Sequence, residues 1–258
     1  WIRKQELFWV ATAPLSPHGH VNVSPKGLKS CFHVESPNEV WYEDMAGSGG
    51  ETAAHVRENG RITIMFSAFE GAAMILRLFG TTVVHEFGTS EYNRRIDLSS
   101  RTPGSRAVVE IRVHKAGTSC GYAVPIYTFQ KHRTALLNFA YKRENKDLAF
   151  DGGGVEAICV DGLKAYWNDN NIASMDGLPA FDECYKSAQP VTHAPIEEPK
   201  RKLDTKEAFA NLDAEADNQL SKARPAIERD VSLITLGFMV GLCTTAIASC
   251  FASKLHFV

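Results

Sequence analysis

The sequence has no CxxC pair, no complete HExxH motif and no third ligand near His18 and His20, so it offers no zinc or dithiol centre. His85-Glu86 begins like a zinc-protease motif, but Thr89 stands where the second His belongs. The six cysteines, Cys31, Cys120, Cys159, Cys184, Cys243 and Cys250, are scattered, and two of them share one apolar run. Reduced thiols in a cytosol-facing protein are the simplest reading. The net charge of -2 supplies no basic field for nucleic acid. No repeat of fixed period is present, which excludes a solenoid. With 44% hydrophobic residues in 258, the chain can bury one good core and carry appendages.

Short β-branched or aromatic runs bounded by Gly, Pro, Ser or Asn fill the first half, at 7–13, 20–23, 40–42, 62–66, 75–79 and 107–113. Helices are expected only over 51–58 and around 90–97. Many short strands with few helices predict a barrel or sandwich rather than a βαβ sheet. Residues 1–128 therefore read as the β domain. Residues 129–185 read as a helical and looped extension, with Leu136, Leu137, Phe139 and Ala140 on one helical face. Residues 186–230 read as a proline-rich, charged linker followed by a solvated helix over 204–224, capped by Asp204 and ended by Pro225. Residues 231–253 contain no charge. As a helix they would span about 34 Å, enough for a transmembrane anchor. A helix docked on the barrel is the other reading of that run.

Four segments carry candidate chemistry. In HVNVSPKGL, Val21 and Val23 alternate with Asn22 and Ser24, so one side of a strand is polar. Lys26 follows where an ammonium can meet a phosphate, or simply be solvated at a turn. In YEDMAGSGGETAAHVRENGRI, glycines precede a helix start, and Ser48 with Glu51 fits a capping box. Ser48, Thr52 and the helix N-terminus suit a phosphate if Glu51 points away, and ordinary capping is the alternative. Arg77 interrupts the apolar run ILRLFG. It needs an anionic or polar partner if it faces inward and means nothing if it faces solvent. Cys120 reads as a small buried thiol rather than a nucleophile, since no His accompanies it locally. Glu43 and Asp44 are adjacent in a strand and so face opposite ways, which disfavours a two-carboxylate hydrolase.

Taken in order, FWVATAPLSPHGHVNVSPKG, YEDMAGSGGETAAHVRENGRITIMFSAFEG, ILRLFG, TSCGYAVP and SMDGLPAF resemble a branch of the pyridoxamine 5′-phosphate oxidase-like flavoproteins over roughly residues 1–185. The resemblance implies a mainly β fold with helices (α+β), a six-stranded split β-barrel that dimerises, with FMN in a cleft at the dimer interface. It implies that Lys26 contacts the phosphate, that Asn22, Val23 and Ser24 lie beside the ring or ribityl chain, and that Ser48, Thr52 and Arg77 also contact the cofactor. The pattern departs at Gly50, where a bulkier residue is usual, at the apolar residues 72–74, and at Gly117, where Gln is usual. The implied function is an FMN-dependent oxidoreductase acting on a small molecule as a homodimer; the uncharged run over 231–253, outside the resemblance, would tether it to a membrane with its barrel in the cytoplasm. A non-catalytic flavin- or haem-binding module, and a membrane-tethered interaction protein with a vestigial pocket, are the alternatives. Because flavin itself accepts the hydride, the lack of a triad or metal site agrees with this reading.

Overall fold

The computed structural model describes residues 1–28, 31–151 and 158–195. The linker beyond 195, the helix over 204–224 and the anchor over 231–253 lie outside these residues. Among the described residues no helix is long and apolar enough to cross a membrane.

The fold is mainly β with a few helices. Among the described residues seven strands form one antiparallel sheet: β1 (Phe8–Thr12), β2 (Asn22–Lys26), β3 (Phe32–Ser36), β4 (Glu39–Met45), β5 (Arg61–Ser67), β6 (Ile75–Glu86) and β7 (Ser105–Ser119). Their order is β2-β1-β5-β6-β7-β4-β3. The count corrects the expected six. β3 is the added strand, an edge partner of β4 whose residues are at best half-buried. Its signal is the alternation Phe32-His33-Val34-Glu35 before the Pro37-Asn38 turn.

The sheet rolls on itself. Phe8 of β1 meets Phe32 of β3 at 4.9 Å and Tyr42 of β4 at 5.5 Å between ring centroids, although four strands lie between β1 and β3 in the sheet order. Phe8, Val10, Tyr42, Ile64, Phe66 and Ile111 fill the interior of the roll. β2 and β3 remain unpaired edges, so the barrel is split between them. Period-two alternation decides the faces: Phe8, Val10 and Thr12 point inward, Trp9 and Ala11 outward.

A second core covers the outer face of the β4–β7 end. Trp41, Phe87 and Val108 pack there against α1 (Glu51–Asn59), α2 (Ser90–Arg95), α3 (Ala135–Ala149) and α4 (Leu163–Asn171), with Trp167, Phe181 and Cys184 buried among them. The outer face at the β1–β2 end has no such cover, and Val21 and Val23 are 70% and 60% exposed. α1 ends at Gly60, whose φ of 68° is a left-handed cap that glycine adopts without strain. The described part of the segment read as a linker lies against the body. Val191 is buried, Lys164 donates to the Ser187 and Gln189 carbonyls, and Arg101 donates to that of Thr192.

The extension is held by one carboxylate. Glu86, at the end of β6 and 2% exposed, accepts the backbone N–H groups of Asp182, Glu183 and Cys184 at 2.8 to 3.1 Å and pairs with Arg57 of α1. The HE pair that resembles half of a zinc motif is thus a structural anchor. Replacing Glu86 by Ala leaves three N–H groups without their acceptor and one guanidinium without its partner. The expected loss is about 3 kcal/mol of unfolding free energy, measured by urea denaturation.

Candidate functional site

β2 runs beside β1 with Phe8 opposite Lys26, Val10 opposite Ser24 and Thr12 opposite Asn22. The alternation puts Asn22 and Ser24 on one side, and the register makes that side the inner face and carries Lys26 onto it, with Val23 and Pro25 outside. The inner row forms a continuous polar chain. Ser24 Oγ donates to Asn22 Oδ1 at 2.9 Å, and Asn22 Nδ2 donates to Thr52 Oγ1 at 3.0 Å and Thr12 Oγ1 at 3.2 Å. Thr12 Oγ1 lies 3.0 Å from Nδ1 of the fully buried His55. Asn22, Ser24 and Thr52 therefore come together at the start of α1, as expected.

Lys26 is not a free cation. Its Nζ lies 2.8 Å from Asp44 Oδ1, and Arg106 Nε lies 2.9 Å from Asp44 Oδ2. Asp44, on β4, is 3% exposed at its side chain. The ion pair therefore joins the unpaired edge β2 to β4 across the split. Burial pushes the Asp44 carboxyl upward, but Lys26 and Arg106, with their hydrogen bonds, outweigh it and bring it down to about 2. Arg106 also donates from Nη1 to the Gly49 carbonyl at 3.0 Å, linking the pair to the glycine loop. Asp44 and Arg106 were missed as site residues in the sequence. Asp44 gives a faint signal, because it continues the inward parity of Val40 and Tyr42 and a carboxylate there requires a cation.

The expected Ser48–Glu51 capping box does not form. The N-cap of α1 is Gly50, with no side-chain cap, and Ser48 is exposed two residues earlier. Glu51 instead accepts the Met175 N–H at 3.3 Å. The usual bulkier residue at Gly50 has no space here. A Cβ would lie 2.5 Å from Ala180 Cβ and 3.0 Å from the Asn171 carbonyl oxygen. Asn171 Nδ2 donates to the Gly47 carbonyl at 2.8 Å, so the segment around 171–180 packs on the glycine loop.

Two predicted residues stand apart. Across the outer face, β-pairing sets Pro25, Trp9, Met65, Arg77 and Gly117 in one row. Arg77 is thus three strands from β2, about 14 Å away, and on the opposite face of the sheet from Lys26. Its Nη1 donates to Ser119 Oγ at 3.3 Å. Val23 shares that outer face, where Ala11, Val21, Thr63 and Phe79 line a shallow groove of about 360 Å³. Cys120, expected to be buried, is exposed, because β7 runs past the core before reaching it. His18 and His20 do not share a strand face. They lie in a bend, and His20 Nδ1 meets Asp176 Oδ1 at 2.7 Å. Among the described residues no group of three His, Cys, Asp or Glu could hold a metal ion.

Residues 1–120 match the family model described as pyridoxamine 5′-phosphate oxidase. The pyridoxamine 5′-phosphate oxidase family protein ustO of Aspergillus flavus is 45% identical over 130 residues, which are 49% of this chain and 51% of the relative. The chain thus spans about half the length of the curated relative it matches. Among solved structures, HupZ of Group A Streptococcus aligns at 20% identity over 48% of this chain and 90% of its own, with a TM-score of 0.34. An FMN-binding protein from Syntrophomonas wolfei subsp. wolfei aligns at 13% identity over 50% and 82%, with a TM-score of 0.33.

The Asp44 pair has a pH signature. A carboxyl held near 2, against 3.8 when unpaired, stabilises the fold above about pH 4 and loses that contribution as the pH falls from 4 to 2. The loss attributable to Asp44 is about 2 kcal/mol. Urea midpoints measured between pH 5 and 2 should fall less steeply for Asp44→Asn than for the unsubstituted protein.

Proposed function

We propose, for a chain whose residues 1–120 belong to the pyridoxamine 5′-phosphate oxidase-like family, that the site between β2 and α1 binds FMN and that the protein is a flavin-dependent oxidoreductase of a small molecule. The observation that carries this is the charge balance across the split. Two cations, Lys26 and Arg106, share one buried carboxylate, Asp44, and leave one positive charge over. Asn22, Ser24 and Thr52 add neutral donors and acceptors on the same side, and exposed Ser48 adds a hydroxyl at the loop. That donor set suits a ligand with a polar chain and a phosphate end. Glu51, whose charge would repel a phosphate, is engaged with the Met175 N–H.

Bound FMN would supply the hydride acceptor. The chain's own contribution is binding and orientation: Lys26 holds the phosphate, while Asn22 and Ser24 hold the ribityl chain or ring edge. Gly117, in place of the usual Gln, offers no side chain to the cofactor.

The opposite faces of β2 favour a homodimer. A flavin lying on the inner polar face of one chain is separated by the sheet from Val23 and Arg77 of that chain. Both side chains are available to a flavin held by a second copy. The outer apolar row, with Val21 and Val23 exposed, is the surface that such a copy would cover. Membrane tethering through 231–253 belongs to the same proposal and rests on the uncharged run in the sequence.

The Lys26→Ala protein is expected to bind FMN about tenfold more weakly or worse, read by flavin fluorescence titration, with melting followed in parallel to confirm folding. Unchanged affinity would remove Lys26 from the site. In sedimentation, the protein purified with its flavin is expected to run as a dimer, and a flavin-loaded monomer would refute the dimer.

A further inference from the structure

We propose that the turn at residues 174–178, outside the residues matched by the family model, is a wall of the cofactor site, with Asp176 as its positioning residue. The inference rests on the flavin reading above and adds to it a segment from the extension.

The turn is internally fixed. Ser174 N–H donates to the Leu178 carbonyl at 2.9 Å, Leu178 N–H donates to Ser174 Oγ at 3.1 Å, and Gly177 takes a φ of 77° that favours glycine. It is then attached on both sides of the polar cluster. On the β2 side, the Asp176 carboxylate takes two bonds from one residue. His20 Nδ1 meets Oδ1 and the His20 backbone N–H donates to Oδ2, both at 2.7 Å. His20 lies two residues before Asn22, just ahead of β2. On the α1 side, the Met175 N–H donates to Glu51, the neighbour of Thr52. Asn22 and Thr52 are hydrogen-bonded to each other. The turn therefore bridges the two residues that flank the cluster in sequence, His20 and Glu51.

The attachment is specific to this turn. Gly19, beside His20, has no room for a side chain: a Cβ would lie 2.4 Å from Pro14 Cγ and 3.1 Å from Asp176 Oδ2. Behind the turn, Ala180 fills the space over Gly50, and Glu86 holds residues 182–184. Met175 is 70% exposed between these anchors, a flexible apolar side chain presented beside a polar cluster. In the proposed wall it would be the apolar contact for a flat ligand bound against β2.

The experiment uses the full chain and FMN itself. Asp176→Ala, which frees the turn from the β1–β2 loop, is expected to speed FMN release about tenfold. Its unfolding midpoint should hardly move, because the His20 side chain is 67% exposed and water can replace the carboxylate there. Asp176→Asn keeps an acceptor for the His20 N–H and is expected to restore part of the slow release. FMN release from Asp176→Ala at the wild-type rate overturns the inference while leaving the flavin reading intact. Absence of FMN binding in the wild-type protein overturns both. If Asp176→Ala unfolds, His20→Ala decides: it removes only the imidazole bond, and faster FMN release with an unchanged midpoint supports the wall, whereas wild-type release overturns it.

Discussion

Asp44 is the constraint on which the site depends. A buried carboxylate needs a cation, and Asp44 takes two, from strands on different sides of the split. β2 is an edge strand whose free backbone groups make no ladder to β3. Its end is held to β4 by the Lys26–Asp44 pair instead. The pair adds a tether at the far end of a polar row that the Asn22–Thr52 hydrogen bond already joins to α1. The same carboxylate sets the charge of the cluster, since it neutralises one of two cations and leaves one positive charge over.

Glu86 does the corresponding work for the extension. It satisfies three backbone N–H groups that no secondary structure would pair, and it ties them to α1 through Arg57. Residues 171–184 consequently pack over the start of α1, and the glycine at position 50 becomes intelligible as a neighbour of Ala180 rather than as a defect in a phosphate loop. The two anchors are coupled by geometry: Arg106, which holds Asp44, also binds the Gly49 carbonyl in the loop on which the extension rests.

Much of this was legible in the residues. Short β-branched and aromatic runs between turn residues located six of the seven strands, because such side chains fit a pleated, half-buried surface. The polar face of β2 was readable from the alternation of Asn22 and Ser24 with Val21 and Val23, and five separated blocks in order carried the resemblance. β3 escaped because an edge strand with little burial has little apolar signal. The capping box at Ser48 failed because tertiary packing moved the helix start to Gly50 and drew Glu51 to Met175. Cys120 was misjudged because a long strand can run past its own core, which local composition does not record.

By itself the sequence determined the class of fold and the separation of Asn22 and Ser24 from Val21 and Val23 onto opposite sides of a strand, because both follow from local periodicity and backbone chemistry. Only the tertiary structure decided which partners those residues meet. The Lys26–Asp44–Arg106 cluster joins positions 18 and 62 residues apart, and the His20–Asp176 bond spans 156. Those pairings depend on how the sheet rolls and where the extension docks. Long-range closure of that kind is a property of the whole packed chain, and no window of sequence contains it.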